Sequence, residues 1–498
     1  MKTIKLLIFT FLFLYTSASF AQNETDALRL SQNYSGGTAR VTGMGGAFGA
    51  LGGDVSTLSI NPAGIGVYRS TEFTITPTIN VNNSKSNFLG SNYTDSKYAF
   101  NLSNLGYVFT LKTQNDKGLV SLSFGFGYNR LADFNKNVTI QTNAANSSLL
   151  DGFASFINGN TDQTLSEKEQ TSALQKNYPI QAMAYNTYAI NYDSASNSFF
   201  SDFDRTGQYG QSQMRQINTK GGIGEYDFSI GGNINNMFYF GATMGVQNIY
   251  YEEITNHNEY NININSSDRD LKDFTFTDNF KMTGSGLNFK IGAIIKPVDF
   301  LRLGLAWHTP TFYSVTTESY NTMLTNFYNG DQYTDKTDIN SYNSDVRTSS
   351  KIIASAGFVI KQLALIDIDY EHVDYSTIHM RADDYSYANE NTNIQNNFKS
   401  TYNLKLGAEF KFGDFAVRGG YGFYGSPDKN NSDLSTNSYS GGLGYRGENF
   451  FIDFGYTLAQ TKYTHTLYSY IQNNANVDVN SKINSNTGRY LMTVGFKF

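Results

Sequence analysis

Five histidines, at 257, 308, 372, 379 and 465, are the side chains best suited to bind a metal or move a proton in this 498-residue sequence. His372 and His379 stand among Asp369, Glu371, Asp374, Asp383 and Asp384, the one stretch where nitrogen and oxygen ligands crowd together. Their spacing matches no metal-ligand or triad pattern, and a wall strand running into a solvated loop accounts for the same residues. Cysteine is absent, which removes disulfides, thiolate metal sites and thiol nucleophiles. "GMGGAFG", residues 43–49, lacks the spacing of a dinucleotide fingerprint and opens no helix. No catalytic residue, metal or cofactor is expected, and the chain reads as something other than an enzyme.

The more informative chemistry is apolar. Between residues 22 and 70, Gly43, Gly46, Gly49 and Gly52 recur every third residue beside Ala47, Phe48, Ala50 and Leu51. Small residues let backbone approach a wall closely, whereas linkers are seldom this apolar. The segment therefore reads as a compact plug. Phe48, Leu51, Leu58, Ile60, Ile65 and Val67 are its candidate apolar ligand contacts. An apolar cavity favours apolar solutes by about 25 cal/mol per Å² of buried surface.

The elements around this plug follow from period two. Val120, Leu122, Phe124, Phe126 and Tyr128 alternate with Ser121, Ser123, Gly125 and Gly127; Tyr226, Phe228 and Ile230 alternate with Glu225, Asp227 and Ser229. The pattern recurs near 71–82, 98–112, 118–130, 223–234, 237–254, 281–296, 299–313, 350–361, 363–375, 399–412, 414–425, 437–446, 449–464 and 488–498, about fourteen strands. Connections after even strands are tight; those after odd strands are long and polar, the largest spanning about 131–222. A propeller or sandwich has no reason to alternate loop length with strand parity, but an up-and-down membrane barrel does. The 36 Tyr and 38 Phe suit aromatic girdles at two membrane interfaces. Lipid also dictates the faces, since a charge on the lipid side near the midplane costs about 2–4 kcal/mol for Arg or Lys. Glu225, Asp227, Asp367, Asp369, Glu371, Lys405 and Glu409 must therefore point into the lumen.

The first 21 residues read as a signal peptide, with Lys2 and Lys5, an apolar run from Leu6 to Tyr15, and Ser19 and Ala21 before the cut. Residues 22–70 are then the plug and 71–498 the barrel. The expected class is all-β, a transmembrane up-and-down antiparallel barrel of about 14 strands with an N-terminal hatch in its lumen, placed in the outer membrane of a Gram-negative bacterium. A net charge of −6 and the lack of a basic run argue against nucleic acid.

"SINPAGIGVY", residues 59–68, sits between the Gly-rich segment and the first strand. With the signal peptide, the strand count and a terminal Phe, the chain resembles the FadL-type outer-membrane transporters of long-chain fatty acids and other hydrophobic compounds. The resemblance implies a fourteen-stranded barrel, a hatch gating passive uptake, and an Asn-Pro-Ala hatch motif, here Asn61, Pro62 and Ala63. It also implies a C-terminal signal read by the barrel-assembly machinery, here Tyr490, Val494, Phe496 and Phe498. Expected partners are a hydrophobic small molecule, outer-membrane lipid and that machinery, for a monomer. The alternative is a surface receptor or adhesion barrel whose long loops bind a partner while the hatch only seals the lumen.

Overall fold

The computed structural model describes residues 24–33, 36–113, 115, 117–201, 203, 209–261, 270–361, 363–431, 434–472 and 475–498; the expected signal peptide lies outside them. Alternating apolar and polar residues build one antiparallel barrel of 14 strands. Its first half comprises β1 (Glu72–Phe88), β2 (Ser91–Lys112), β3 (Leu119–Asp133), β4 (Ser212–Ile234), β5 (Phe238–Tyr260), β6 (Leu271–Val298) and β7 (Leu301–His308). The second half comprises β8 (Lys351–Ile360), β9 (Ala364–Asp374), β10 (Ser400–Phe412), β11 (Phe415–Tyr424), β12 (Thr436–Arg446), β13 (Phe450–Gln472) and β14 (Ala475–Lys497). β14 pairs back onto β1 from Glu72↔Lys497 to Asn87↔Lys482, and the Phe498 N–H donates to the Thr71 carbonyl at 2.9 Å. Closure leaves no free sheet edge at this seam, which is what hydrocarbon demands of a spanning sheet. Among the described residues no helix is long and apolar enough to cross a membrane.

The faces fall as the lipid argument requires. Phe228 is 47% exposed and Tyr490 54%, while Glu225, Asp227, Asp367, Asp369 and Thr493 are fully buried in the lumen. Tyr490, Val494 and Phe496 pair across the seam with Ile79, Ile75 and Phe73.

The outer connections differ from the expectation. Residues 83–97 are strand, not loop: β1 and β2 meet at a two-residue turn, Leu89–Gly90, with φ 47° and 83°. β13 and β14 likewise run out to Gln472 and back from Ala475. Beyond the membrane the outward face of a hairpin meets water instead of lipid, while Ser84, Ser86 and Phe88 stay buried on the inner face, so the apolar-outward alternation fades while the backbone ladder, indifferent to side chain, continues. After Thr309–Thr311, β7 is continued by Phe312–Phe327, and β8 is preceded by Asn340–Arg347.

The expected long connection, about 131–222, shrinks to 143–211. β3 is prolonged by Lys136–Thr142, and β4 already begins at Ser212. The described part of this remainder folds into a cap of three helices, Leu149–Asn160, Glu167–Asn177 and Pro179–Asn186, and a hairpin of Ile190–Asp193 with Ser198–Ser201. Ser148 starts the first helix with a capping box: its Oγ accepts the Leu150 N–H at 3.1 Å, and Asp151 accepts the Ser148 N–H at 2.7 Å. Leu150, Ile157, Leu174 and Met183 then share an apolar core with Phe274 and Met323 of the wall.

Candidate functional site

The segment ahead of β1 lies inside the barrel. Three short helices, α1 (Glu24–Ser31), α2 (Ala39–Gly43) and α3 (Thr57–Ile60), are followed by a 3-10 turn, Pro62–Val67. Strand after strand presents this hatch with a glycine, because the hatch there lies directly on the wall backbone. A Cβ on Gly292 of β6 would lie 1.9 Å from Asn61 Oδ1, one on Gly241 of β5 2.2 Å from the Pro62 carbonyl, and one on Gly420 of β11 2.2 Å from the Gly45 nitrogen. Gly106, Gly304, Gly407 and Gly455 are blocked in the same way by Val55, Gly49, Met44 and Ala39. Of the four periodic hatch glycines, Gly43 abuts Gly442 and Gly49 abuts Ser355, whereas Gly52, with φ 67°, folds the hatch onto its own Gly64 and Val67.

Polar contacts latch the same interface. Asp369 accepts the N–H groups of Phe48 and Gly49 at 3.0 and 3.1 Å, and Asp367 accepts that of Ala50 at 3.3 Å. Arg40 forms a two-pronged pair with Glu409, both contacts 2.9 Å, and the Ser59 hydroxyl donates to Asp227 at 2.6 Å and to Glu225 at 2.9 Å. Asn61 ties the hatch to itself and to β6. Its Nδ2 donates to the carbonyls of Gly49 and Ala293 at 2.7 and 3.4 Å, while Oδ1 accepts the Ala63 N–H at 3.1 Å. Pro62, with no N–H to satisfy and φ preset, opens the 3-10 turn that this cap prepares. Ala63 packs on Tyr239 and Ile294.

The six apolar candidates are spent mostly on seating the hatch. Phe48, Leu51 and Ile60 cluster with Val41 and Met44; Leu58 and Ile65 with Val55, Tyr68 and Val108; Val67 sits beside Ala63 and Tyr239. Of these six, Ile60 alone borders the chamber above, a space of about 70 Å³. That chamber is polar, walled by Glu225, Lys290, His308, Lys351, Glu371 and Lys405. Lys290 pairs with Glu225 and Asp227 at 2.5 and 3.1 Å, and Lys405 with Glu371 at 3.2 Å. The charges excluded from lipid converge here. Above them α1 contributes Ala27 and Leu30 to a second apolar layer with Ile249, Met282 and Tyr313, and Arg29 lies over the Tyr251 ring at 3.9 Å.

A discontinuity in the wall, which the sequence reading did not locate, lies between β2 and β3. Their ladder runs from Lys112↔Ser121 to Asn104↔Asn129 and stops. β3 then stays with β4, as does its continuation Lys136–Thr142, and leaves β2. That continuation passes inside the barrel, where the lumen-facing Ser86 of β1 donates to the Thr139 carbonyl at 2.6 Å. Ser91–Leu102 of β2 therefore pairs with β1 alone. Side chains bridge the break instead of backbone: Asn101 Nδ2 to Asp133 at 2.7 Å, Lys97 Nζ to Asn218 and the Thr219 carbonyl at 2.7 and 2.9 Å, and Thr139 to Asp95 at 2.7 Å. The hatch touches both lips. Ser103 of β2 donates to the Gly37 carbonyl at 3.0 Å, and Gly36 packs on the Arg130 carbonyl of β3.

Two signals in the sequence mark this place. Pro77 interrupts the first strand, where β1 pairs Thr76 with Asn104 but Pro77 with Leu102, leaving Ser103 as a bulge. The outward parity of β2 flips at that bulge, from Tyr107 and Phe109 to Tyr98 and Phe100, the last two 72% and 76% exposed.

The histidines are dispersed. His257 lies against Glu259 and Arg215 beneath the cap, His308 Nε2 is 2.9 Å from the Ile60 carbonyl, and His372 neighbours Ser400. Among the described residues no group of three or more His, Asp or Glu is placed to hold a metal.

No known family profile matches this sequence, and no curated protein does. Solved structures do match in fold. The crystal structure of a Pseudomonas aeruginosa FadL homologue aligns with a TM-score of 0.54 at 12% identity, covering 94% of this chain and 100% of that one. That of the Pseudomonas putida toluene transporter TodX aligns with a TM-score of 0.52 at 10% identity, covering 93% and 99%. From its seam to its plugged lumen, the chain has the fold of the FadL-type outer-membrane barrels.

Proposed function

We propose that this protein is a passive channel for hydrophobic small molecules, long-chain fatty acids or hydrocarbon-like compounds, which enter from the outer face and leave sideways between β2 and β3. The observation that carries this reading is the wall break itself, a stretch of barrel closed by side chains where neighbouring strands are closed by backbone ladder. An apolar solute gains nothing by crossing into water, so an exit into the bilayer suits it better than one past a hatch latched by Asp367, Asp369, Glu409 and Asp227. The hatch gates the exit because Gly36 and Gly37 touch both lips, and the turn at Asn61, Pro62 and Ala63 sets where the hatch sits. The names of the structural neighbours, a FadL homologue and a toluene transporter, support the same class of cargo.

The test uses the absence of native cysteine. With Asn101→Cys and Asp133→Cys joined by a short thiol crosslinker, uptake of labelled oleate and toluene should fall to the level of a deletion strain and recover when a cleavable linker is cut. Unchanged uptake in the crosslinked protein would exclude the lateral exit. Unchanged uptake in the deletion strain would remove the channel reading and leave the receptor or adhesion role.

A further inference from the structure

We propose that the outer surface along β13, β14 and β1 seats one outer-leaflet lipid, its phosphorylated head group on Lys85, Lys462 and Lys482 and an acyl chain in a groove of the wall below them. This site stands apart from the channel reading above and does not depend on it.

The three lysines share the outward face at the end of the barrel that carries the cap. Lys85 of β1 and Lys462 of β13 both stand directly opposite Asn484 of β14, and Lys482 of β14 stands opposite Asn87 and Thr464. A strand spacing of about 4.8 Å puts the backbones of Lys85 and Lys462 about 10 Å apart with Lys482 on the strand between them, so three long side chains can close on one phosphate. All three are exposed, and none makes an ion pair with a described residue. The outward positions beside them, Asn83, Asn87, Gln460 and Thr464, carry no charge, and Asp95 of β2 turns inward to Thr139. The outward row Lys220, Glu252, Lys281 and Glu318 on β4 to β6 and the continuation of β7 neutralises itself instead, with contacts of 2.9 and 3.1 Å. Lysines gathered without a counter-charge repel one another, and an anion from outside the chain relieves that repulsion.

Below the lysines the same strands form a groove of about 740 Å³, almost wholly apolar, lined by Ile79, Phe100, Leu443, Phe454, Tyr490 and Met492. The wall sinks there because glycine lets it rest on the hatch: a Cβ on Gly455 would lie 2.7 Å from the Ala39 carbonyl, and one on Gly442 3.5 Å from Gly43. Lys85 follows Ile79 by six residues and Lys462 follows Tyr456 by six. On strands tilted by about 40° that is about 20 Å along the chain and about 15 Å in height, one leaflet of a hydrocarbon core about 30 Å thick. A chain lying in the groove therefore brings its head group to the lysines. An acidic peptide would match the charges but leave the groove, which faces hydrocarbon, unfilled.

The experiment adds hexa-acyl lipid A bearing two phosphates, or the same lipid stripped of phosphate, to the folded full-length protein in mild detergent and counts bound lipid by native mass spectrometry. The wild type should hold one phosphorylated lipid about tenfold more tightly than the stripped one. Combining Lys85→Gln, Lys462→Gln and Lys482→Gln should remove that preference, whereas Lys220→Gln with Lys281→Gln should keep it. Gly441 lines the groove, and a Cβ there meets only the Arg418 carbonyl at 3.7 Å, so Gly441→Phe should fill the groove and weaken both lipids alike. Equal retention of the two lipids by the wild type, a preference that survives the triple variant, or binding untouched by Gly441→Phe would overturn the inference. The unboiled gel mobility of each variant reports whether its barrel has formed, and oleate uptake tests the channel reading separately.

Discussion

Phe228 and Ser229 are adjacent in the chain and occupy different solvents. Phe228 faces lipid and touches Phe126 at a ring distance of 5.3 Å; Ser229 faces inward and shares a hydrogen bond with Thr243 at 2.6 Å. Phe228→Arg places a charge in hydrocarbon at a cost of about 2–4 kcal/mol and should sharply reduce insertion into liposomes. Ser229→Arg puts the same charge in the lumen, crowding the hatch but sparing insertion. Equal folded yields of the two, read from heat-modifiable mobility, would contradict the assigned faces. At this scale the sequence was highly legible: the charges assigned to the lumen, Glu225, Asp227, Asp367, Asp369, Glu371, Lys405 and Glu409, are all buried. The roles of Asn61, Pro62 and Ala63 were legible only as a motif. That Asn61 caps its own turn and also reaches the Ala293 carbonyl depends on β6, more than two hundred residues away.

At the level of elements, alternation located the strands but understated their length, because it reports lipid contact rather than pairing. It also passed over the glycines of the wall, which read as ordinary small residues facing a lumen. Their function is geometric. Gly292→Val sets a Cβ against Asn61 Oδ1 and should loosen the hatch by about 1–3 kcal/mol while the barrel still forms. Gly419→Val provides the control, since nothing lies within 4 Å of a Cβ there. Amide exchange at Phe48, Gly49 and Ala63 should accelerate in the first variant and stay at the wild-type rate in the second. Indistinguishable exchange would mean that these glycines do not seat the hatch.

For the molecule as a whole, the barrel's girth creates the problem that the other segments solve. A barrel of about 14 strands is wider than its wall side chains can fill. The lumen is accordingly stacked with the hatch, a charged layer, α1 and the cap. The seam between β1 and β14 closes this stack, and Phe498 is its last residue, 78% exposed with its N–H on Thr71. If the C-terminal ring is also the mark read during assembly, deleting Phe498 should lower the amount of folded barrel in cells severalfold. Purified protein refolded in detergent should be nearly unaffected, since only one ladder hydrogen bond is lost, about 1 kcal/mol. Parallel losses in both settings would reduce Phe498 to a stabilising role.

By itself the sequence determined which strand faces meet lipid and that the chain crosses about fourteen times, because hydrocarbon penalises each misplaced charge locally and period two records the outcome. Only the tertiary structure decided where β3 parts from β2, which glycines receive the hatch, and how the described residues of 143–211 build a cap. Those features depend on contacts between distant segments, and backbone ladders form or stop with little imprint on the side chains that carry them.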